Sequence, residues 1–237
     1  MSIALALSIT TLVAVQANAD VELAELFWQA EGFSEQVGDG FQVFTVPLTD
    51  TDRDGNEYTI TEASGNMFAG TLNNAGGDGT LKYVINLAVG GEWYFWGKAI
   101  APTGGENSFF WGFDIPDADA VRDGAGMNIW DYNEVVDPGS NNFPFGDPPP
   151  DEVKFGFTWY RASSRNGPFT GTGNYDDPTP IFLSAGEHTF HLAIREDGAY
   201  MDAFFVTTDR TFDARFMEPA AVEPQGKLTT TWGDLKY

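Results

Sequence analysis

Apolar and polar residues alternate with a period of two through most of this chain, and no long stretch follows the 3.6-residue period of a helix. The clearest run is residues 186–209, GEHTFHLAIREDGAYMDAFFVTTD, where His188, Phe190, Leu192 and Ile194 share one parity. After a Glu-Asp-Gly turn, Tyr200, Phe204 and Val206 share a parity in the second half. This pattern predicts a β-hairpin with one face in a core. Further strands are predicted over Phe41 to Val46, Lys82 to Val89, Glu92 to Ala101, Ser108 to Asp114, Met127 to Tyr132 and Val153 to Arg161, with Val21 to Gln29 either a strand or a helical turn. Gly-Gly, Thr-Gly-Gly and Asp-Gly pairs punctuate these runs, and such spacing predicts an all-β sandwich of two antiparallel sheets. Two long connections, 137–151 and 162–180, exceed what a compact domain needs for linking strands, and loops of that length are more often functional than accidental. Near the end, Lys227 to Trp232 reads as a strand, either closing the sheet or docking elsewhere.

Composition narrows the picture. The length of 237 residues suits one large domain, with residues 20–216 as the sandwich and 217–237 as a tail or closing strand. Twenty Phe and seven Trp can fill a thick sheet-on-sheet core, while 27 Gly and 13 Pro supply the turns. Formal charge is −23, from 12 Lys+Arg against 35 Asp+Glu, and no stretch gathers the basic patch that a phosphate backbone requires. Nucleic acid is excluded as a partner on that ground. With no Cys, disulfides, thiolate metal sites and cysteine nucleophiles are excluded together. Residues 1–19 carry an apolar run from Ile3 to Val15 and end in Gln16-Ala17-Asn18-Ala19. This predicts a signal peptide and an extracellular protein, although the n-region lacks its usual Lys or Arg. No later stretch is long enough to predict a membrane span.

Two places suggest a hard cation. Asp50-Thr-Asp52-Arg-Asp54-Gly55-Asn56 has the D-x-D-x-D-G spacing in which alternating carboxylates converge on calcium. Position 8 of that loop is Glu57 rather than an apolar residue, and the closing acid, Glu62, comes one residue late. The expectation is a calcium loop without flanking helices, set against a solvated Asp-Gly hairpin turn. Asp202 sits among large apolar residues, and a bare carboxylate there costs several kcal/mol, so a partner is required. A metal, Arg195, or a capped backbone amide would each satisfy it.

The order of several pieces resembles secreted carbohydrate-binding modules of families 6 and 35. These are the opening Gly186-Glu-His-Thr, Arg195-Glu-x-Gly198, Asp202 and a Thr-Thr-Asp end, together with a Gly91 to Trp96 strand and a loop into Asn107-Ser-Phe-x-x-x-x-Asp114. Thr61-Glu-Ala-Ser-Gly-Asn66 and Phe157-Thr-Trp159 extend the match over most of residues 30–210. The resemblance implies a jelly-roll sandwich, a glycan ligand and a structural calcium, with Ala30-Glu31 and Met201-Asp202 at the points where an early Glu and a late Asp ligate the ion.

A pyranose ring needs flat apolar faces and planar polar groups. Trp130, Trp159 and Tyr160 adjoin long loops and are the candidate faces, Trp130 and Tyr160 the favoured ones, with Asn128, Asp131 and Asn133 for hydroxyls. Trp159 shares parity with Val153, Phe155 and Phe157 and is expected on the core face. For catalysis there is no nucleophile elbow, zinc signature or phosphate loop, and His188 and His191 fall on opposite faces of one strand. Among 35 acids a carboxylate pair for glycoside hydrolysis leaves no readable signature. The sequence therefore predicts a secreted, non-catalytic glycan-binding module with structural calcium. The alternative is a calcium-stabilised surface or adhesive protein that self-associates through its C-terminal strand.

Overall fold

The computed structural model describes residues 23–103, 105–131, 155–162 and 180–214. The strands in chain order are β1 (Glu25–Gln29), β2 (Glu35–Gly38), β3 (Gln42–Thr45), β4 (Leu48–Thr51), β5 (Glu57–Ile60), β6 (Met67–Gly70) and β7 (Gly79–Leu87). They continue as β8 (Gly91–Ile100), β9 (Ser108–Phe113), β10 (Asn128–Asp131), β11 (Thr158–Arg161), β12 (Ile181–Leu183), β13 (Gly186–Ile194) and β14 (Tyr200–Thr207). One sheet runs β11-β8-β14-β6-β3, with β1 also on β14 and β12 also on β8; the other runs β10-β9-β13-β7-β2. Every pairing is antiparallel, and the chain repeatedly crosses from one sheet to the other, as in β7 to β8 to β9 and β13 to β14. This is the all-β sandwich of two antiparallel sheets that the alternation predicts, in the jelly-roll form that the resemblance implies. Among the described residues no helix is long and apolar enough to cross a membrane.

Alternation explains the core. Phe190, Leu192 and Ile194 of β13 and Leu81, Tyr83 and Ile85 of β7 face inward, against Trp93 and Phe95 of β8 and Phe204 and Val206 of β14. The Phe95 ring meets Trp28, Trp111, Phe113, Trp130, Phe190 and Phe204 at centroid distances of 4.9–6.0 Å. Edge and stacked ring pairs of this kind add about 0.5–1.5 kcal/mol each beyond the area they bury.

The hairpin of β13 and β14 departs from simple alternation at one point. Met201 pairs with Ala99 and Ala203 with Lys98, so Asp202 is an extra residue in β14, a β-bulge. The bulge reverses the parity: Met201, Phe204 and Val206 face the inter-sheet core, whereas Tyr200, Ala203 and Phe205 face outward. Tyr200 therefore does not share a face with Phe204, contrary to expectation. The outward residues are not left wet. Tyr200 packs beneath the β4–β5 hairpin with Tyr58, Ile60 and Phe68, and Phe205 lies beneath Phe212 and Ala214. The segments 1–22, 132–154, 163–179 and 215–237, including the leader-like run and Lys227 to Trp232, lie outside the described residues.

Candidate functional site

Asp202 is fully buried at its bulge, and three donors satisfy its carboxylate. The Ser64 amide donates to Oδ1 at 2.8 Å, the Ser64 hydroxyl to Oδ2 at 2.9 Å, and the Lys98 ammonium lies 2.9 Å from Oδ2. Its charged partner is thus Lys98, directly across the β8 ladder, and not Arg195, which bonds Glu196 and Ser108. The Ala30 amide donates to the Asp202 carbonyl at 2.9 Å, which brings the neighbouring Glu31 to the same spot. Both Glu31 oxygens are buried without a hydrogen-bond partner. Burial, reinforced by the charge of Asp202, pushes the Glu31 carboxyl up to about 7. Orphaned carboxylate oxygens beside a second acid and a hydroxyl form a hard-oxygen donor set, and its chemistry fits a calcium ion. Lys98 already supplies one positive charge to this set.

The Asp50–Asn56 segment is organised differently from a convergent calcium loop. Asp52 is buried; its Oδ1 accepts the Asn56 amide at 2.8 Å, and both of its oxygens contact the Asn56 side-chain nitrogen. With the backbone bonds Asp52 N to Asn56 O and Gly55 N to Asp52 O, it closes the turn between β4 and β5. Asp50 Oδ2 accepts the Tyr200 hydroxyl and the Asn73 amide, while Asp54, Asn56 and Glu62 are exposed. Among the described residues no three acidic or imidazole side chains gather as a metal-holding group. The Asp-Gly turn describes this segment.

The aromatic candidates are core residues. Trp130 has no exposed surface, stacks obliquely on Phe95 and Trp111, and donates its indole N–H to the Arg161 carbonyl at 3.1 Å. Tyr160 also lies in the inter-sheet core, because β11, paired with β8, turns that parity toward the opposite sheet. Neither presents a face to solvent, so the proposed platform is corrected. Trp159 is buried too, but on the outer side of its sheet, edge-on to Phe27 and Phe205, and not in the inter-sheet core. Asn128 is half-buried and its amide reaches the Trp111 carbonyl at 3.5 Å. Asp131 ends β10, and Asn133 lies outside the described residues.

One constellation has the composition of a catalytic triad and fails as one. His188 Nδ1 is 2.6 Å from Asp114 Oδ2, and His188 Nε2 is 3.3 Å from the Ser184 hydroxyl. The same Nε2 lies closer, at 2.9 Å, to the Ser184 carbonyl, an acceptor only. The nearer neighbour of Nε2 is thus an acceptor, which the nitrogen meets as a donor, and a nitrogen engaged in that way is not placed to take the serine proton. Burial opposes its charge, but the bonds to Asp114 and the Ser184 carbonyl win and raise the pKa of His188 above the ordinary value. His191, on the opposite face, meets Asp117 at 3.2 Å, and burial lowers its pKa.

Sequence reasoning missed the concave feature. At one end of the sandwich a cavity of about 470 Å³ opens where the β4–β5, β6–β7, β8–β9, β9–β10 and β13–β14 connections meet. Arg53, Asn74, Glu106, Arg122 and Asp123 contribute to its wall. Glu106 is 1% exposed, with Oε2 accepting the Thr103 hydroxyl at 2.7 Å and Oε1 buried without a partner. Gly198, at φ +78°, makes room for it, since a Cβ there would lie 2.5 Å from Oε1. The Arg195-Glu-Asp-Gly198 turn was the available signal, but a turn signature does not show what packs against its glycine.

No protein-family model matches the chain, and no curated protein matches it. Solved structures similar to it include a family 35 carbohydrate-binding module from Clostridium thermocellum, at 11% identity and a TM-score of 0.42, over 77% of this chain and 96% of that one. The C-terminal CBM6 of a marine laminarinase from Zobellia galactanivorans aligns at 14% identity and a TM-score of 0.39, over 78% of this chain and 99% of that one. The GH26-CBM35 β-(1,4)-mannanase of Podospora anserina aligns at 13% identity and a TM-score of 0.40 over 77% of this chain, which spans 27% of that protein's length.

Proposed function

We propose that this chain is a secreted, non-catalytic module that binds a carbohydrate and holds a structural calcium between the start of its sandwich and its last hairpin. The observation that carries the reading is the meeting of Glu31 and Asp202. Residues 171 positions apart, matched in sequence to the two acids of such modules, are joined through the Ala30 amide and the Asp202 carbonyl, with the Glu31 oxygens left unpartnered. The leader-like residues 1–19 and the charge of −23 support an extracellular setting, where calcium is abundant. Glu31, Asp202 and the Ser64 hydroxyl would hold the ion, which supplies the charge that lets both acids stay ionised in a buried place.

Affinity electrophoresis in gels cast with a panel of neutral and acidic polysaccharides tests the binding. Retardation by at least one glycan is expected, and indifference to all of them overturns the reading. Thermal melts in chelator and in millimolar calcium test the ion, since a ligand of the folded state stabilises by about 2.7 kcal/mol at a hundredfold excess over its dissociation constant. Glu31→Gln is expected to remove the calcium shift, and a shift that persists in this variant assigns the ion elsewhere.

A further inference from the structure

Lys98 stands on oxygens that a metal ion would need. Its ammonium lies 2.9 Å from Asp202 Oδ2 and 3.4 Å from the Ser64 hydroxyl, two of the three groups that would hold calcium. An ammonium and a calcium ion on the same oxygens would repel each other at close range, where the Asp202 side chain has no exposed surface. Strand register puts the lysine there. Lys98 pairs with Ala203, the residue after the bulge, on one side and with Trp159 on the other, and the bulge sets the Asp202 carboxylate within reach of its head.

The ammonium answers only part of the charge it meets. It bonds Asp202, while both buried oxygens of Glu31 are without a partner among the described residues. Two carboxylates thus face one ammonium, and a formal negative charge is left over. A divalent ion in place of the ammonium neutralises both acids, whereas a divalent ion beside it leaves a buried positive excess. A monovalent ion in its place restores only the charge that left. Displacement by a divalent ion is therefore the one exchange that improves on the lysine. Lys98 is built to give way: its side chain is 22% exposed, so the stem can keep its apolar contacts while the head turns to water.

From this geometry we infer that Lys98 is a tethered counter-ion that holds the site until a divalent cation displaces its ammonium, and that it thereby excludes monovalent cations. The inference rests on the calcium reading and adds the rule by which the site selects its ion. Calorimetry and thermal melts at about pH 8, above the Glu31 value of about 7, compare wild type with Lys98→Met on the full chain. Lys98→Met keeps an apolar stem and removes the ammonium. It is expected to bind calcium about tenfold or more tightly than wild type, the equivalent of one charge-assisted hydrogen bond no longer displaced. Its melting temperature is expected to be higher in sodium chloride than in choline chloride of equal ionic strength, whereas that of wild type is the same in both. Amine acylation of wild type, mapped by mass spectrometry, needs no variant and so reads the site even if Lys98→Met fails to fold. Lys98 is expected to react slowly in chelator and several-fold faster in calcium, while Lys82, paired with Asp117, reacts at one rate in both. Calcium that binds wild type without quickening Lys98 acylation, or that binds Lys98→Met no more tightly, overturns the inference while the calcium reading stands. Stabilisation of wild type by sodium overturns the exclusion of monovalent ions. Calcium binding by neither protein overturns both readings.

Discussion

Lys98 and Asp202 illustrate how far one residue's role depends on its neighbours. Among the described residues, the Lys98 ammonium is the charged group bonded to the Asp202 carboxylate, which has no exposed surface, so Lys98→Met is expected to strand a buried charge and cost about 3 kcal/mol by chemical denaturation. If calcium occupies the same donor set, adding it should recover part of that loss. Removing an acid acts in the opposite sense: Glu31→Gln relieves an unpartnered carboxylate, and the variant should melt at or above the temperature of the calcium-free wild type. His188 gives a pH test. Its folded pKa is raised above the ordinary 6.5, so its contribution is fully present below that value and is lost as pH rises through the higher folded pKa. The melting-temperature difference between wild type and His188→Gln should therefore be largest near pH 6 and shrink toward pH 8.5.

Elements were legible in the sequence where they were long. β7, β8, β9, β13 and β14 each run six residues or more with an apolar face against the opposite sheet, although β8, β9 and β14 are buried on both faces and β14 changes parity at its bulge. The four-residue strands β2, β4, β5 and β6 and the three-residue β12 were not legible, since so few residues cannot establish a period. The bulge at Asp202 was hidden for a different reason: an inserted residue keeps the composition of the strand and changes only which side chains face inward. Trp130 and Tyr160 misled by position, as each adjoins a long loop while its side chain belongs to the core. Gly97 is tied to the same indole, because a Cβ there would lie 2.3 Å from the Trp130 ring. Gly97→Ala is expected to cost about 1–3 kcal/mol through overpacking. Asp52→Ala tests the β4–β5 turn: a loss of about 1–2 kcal/mol, equal in chelator and in calcium, follows from its bonds to Asn56. A loss seen only in calcium would restore the metal-loop reading.

For the whole molecule, the sandwich carries clusters of apolar side chains outside its two sheets as well as between them. Tyr58 and Ile60 of the β4–β5 hairpin cover one part of the outer face, and Phe212 and Ala214 cover another. Of the six tryptophans among the described residues, Trp93, Trp96, Trp111 and Trp130 are fully buried, Trp159 is 8% exposed and Trp28 is partly buried. Among the described residues the loop-end cavity is lined by Phe110, Gly105 and polar side chains, and no indole is among them. A small ligand entering it would change neither the hydration nor the polarity around any of these six rings. Their fluorescence should stay blue-shifted and constant through a titration that calorimetry records as binding, so a flat emission spectrum would carry no information about whether the ligand is bound.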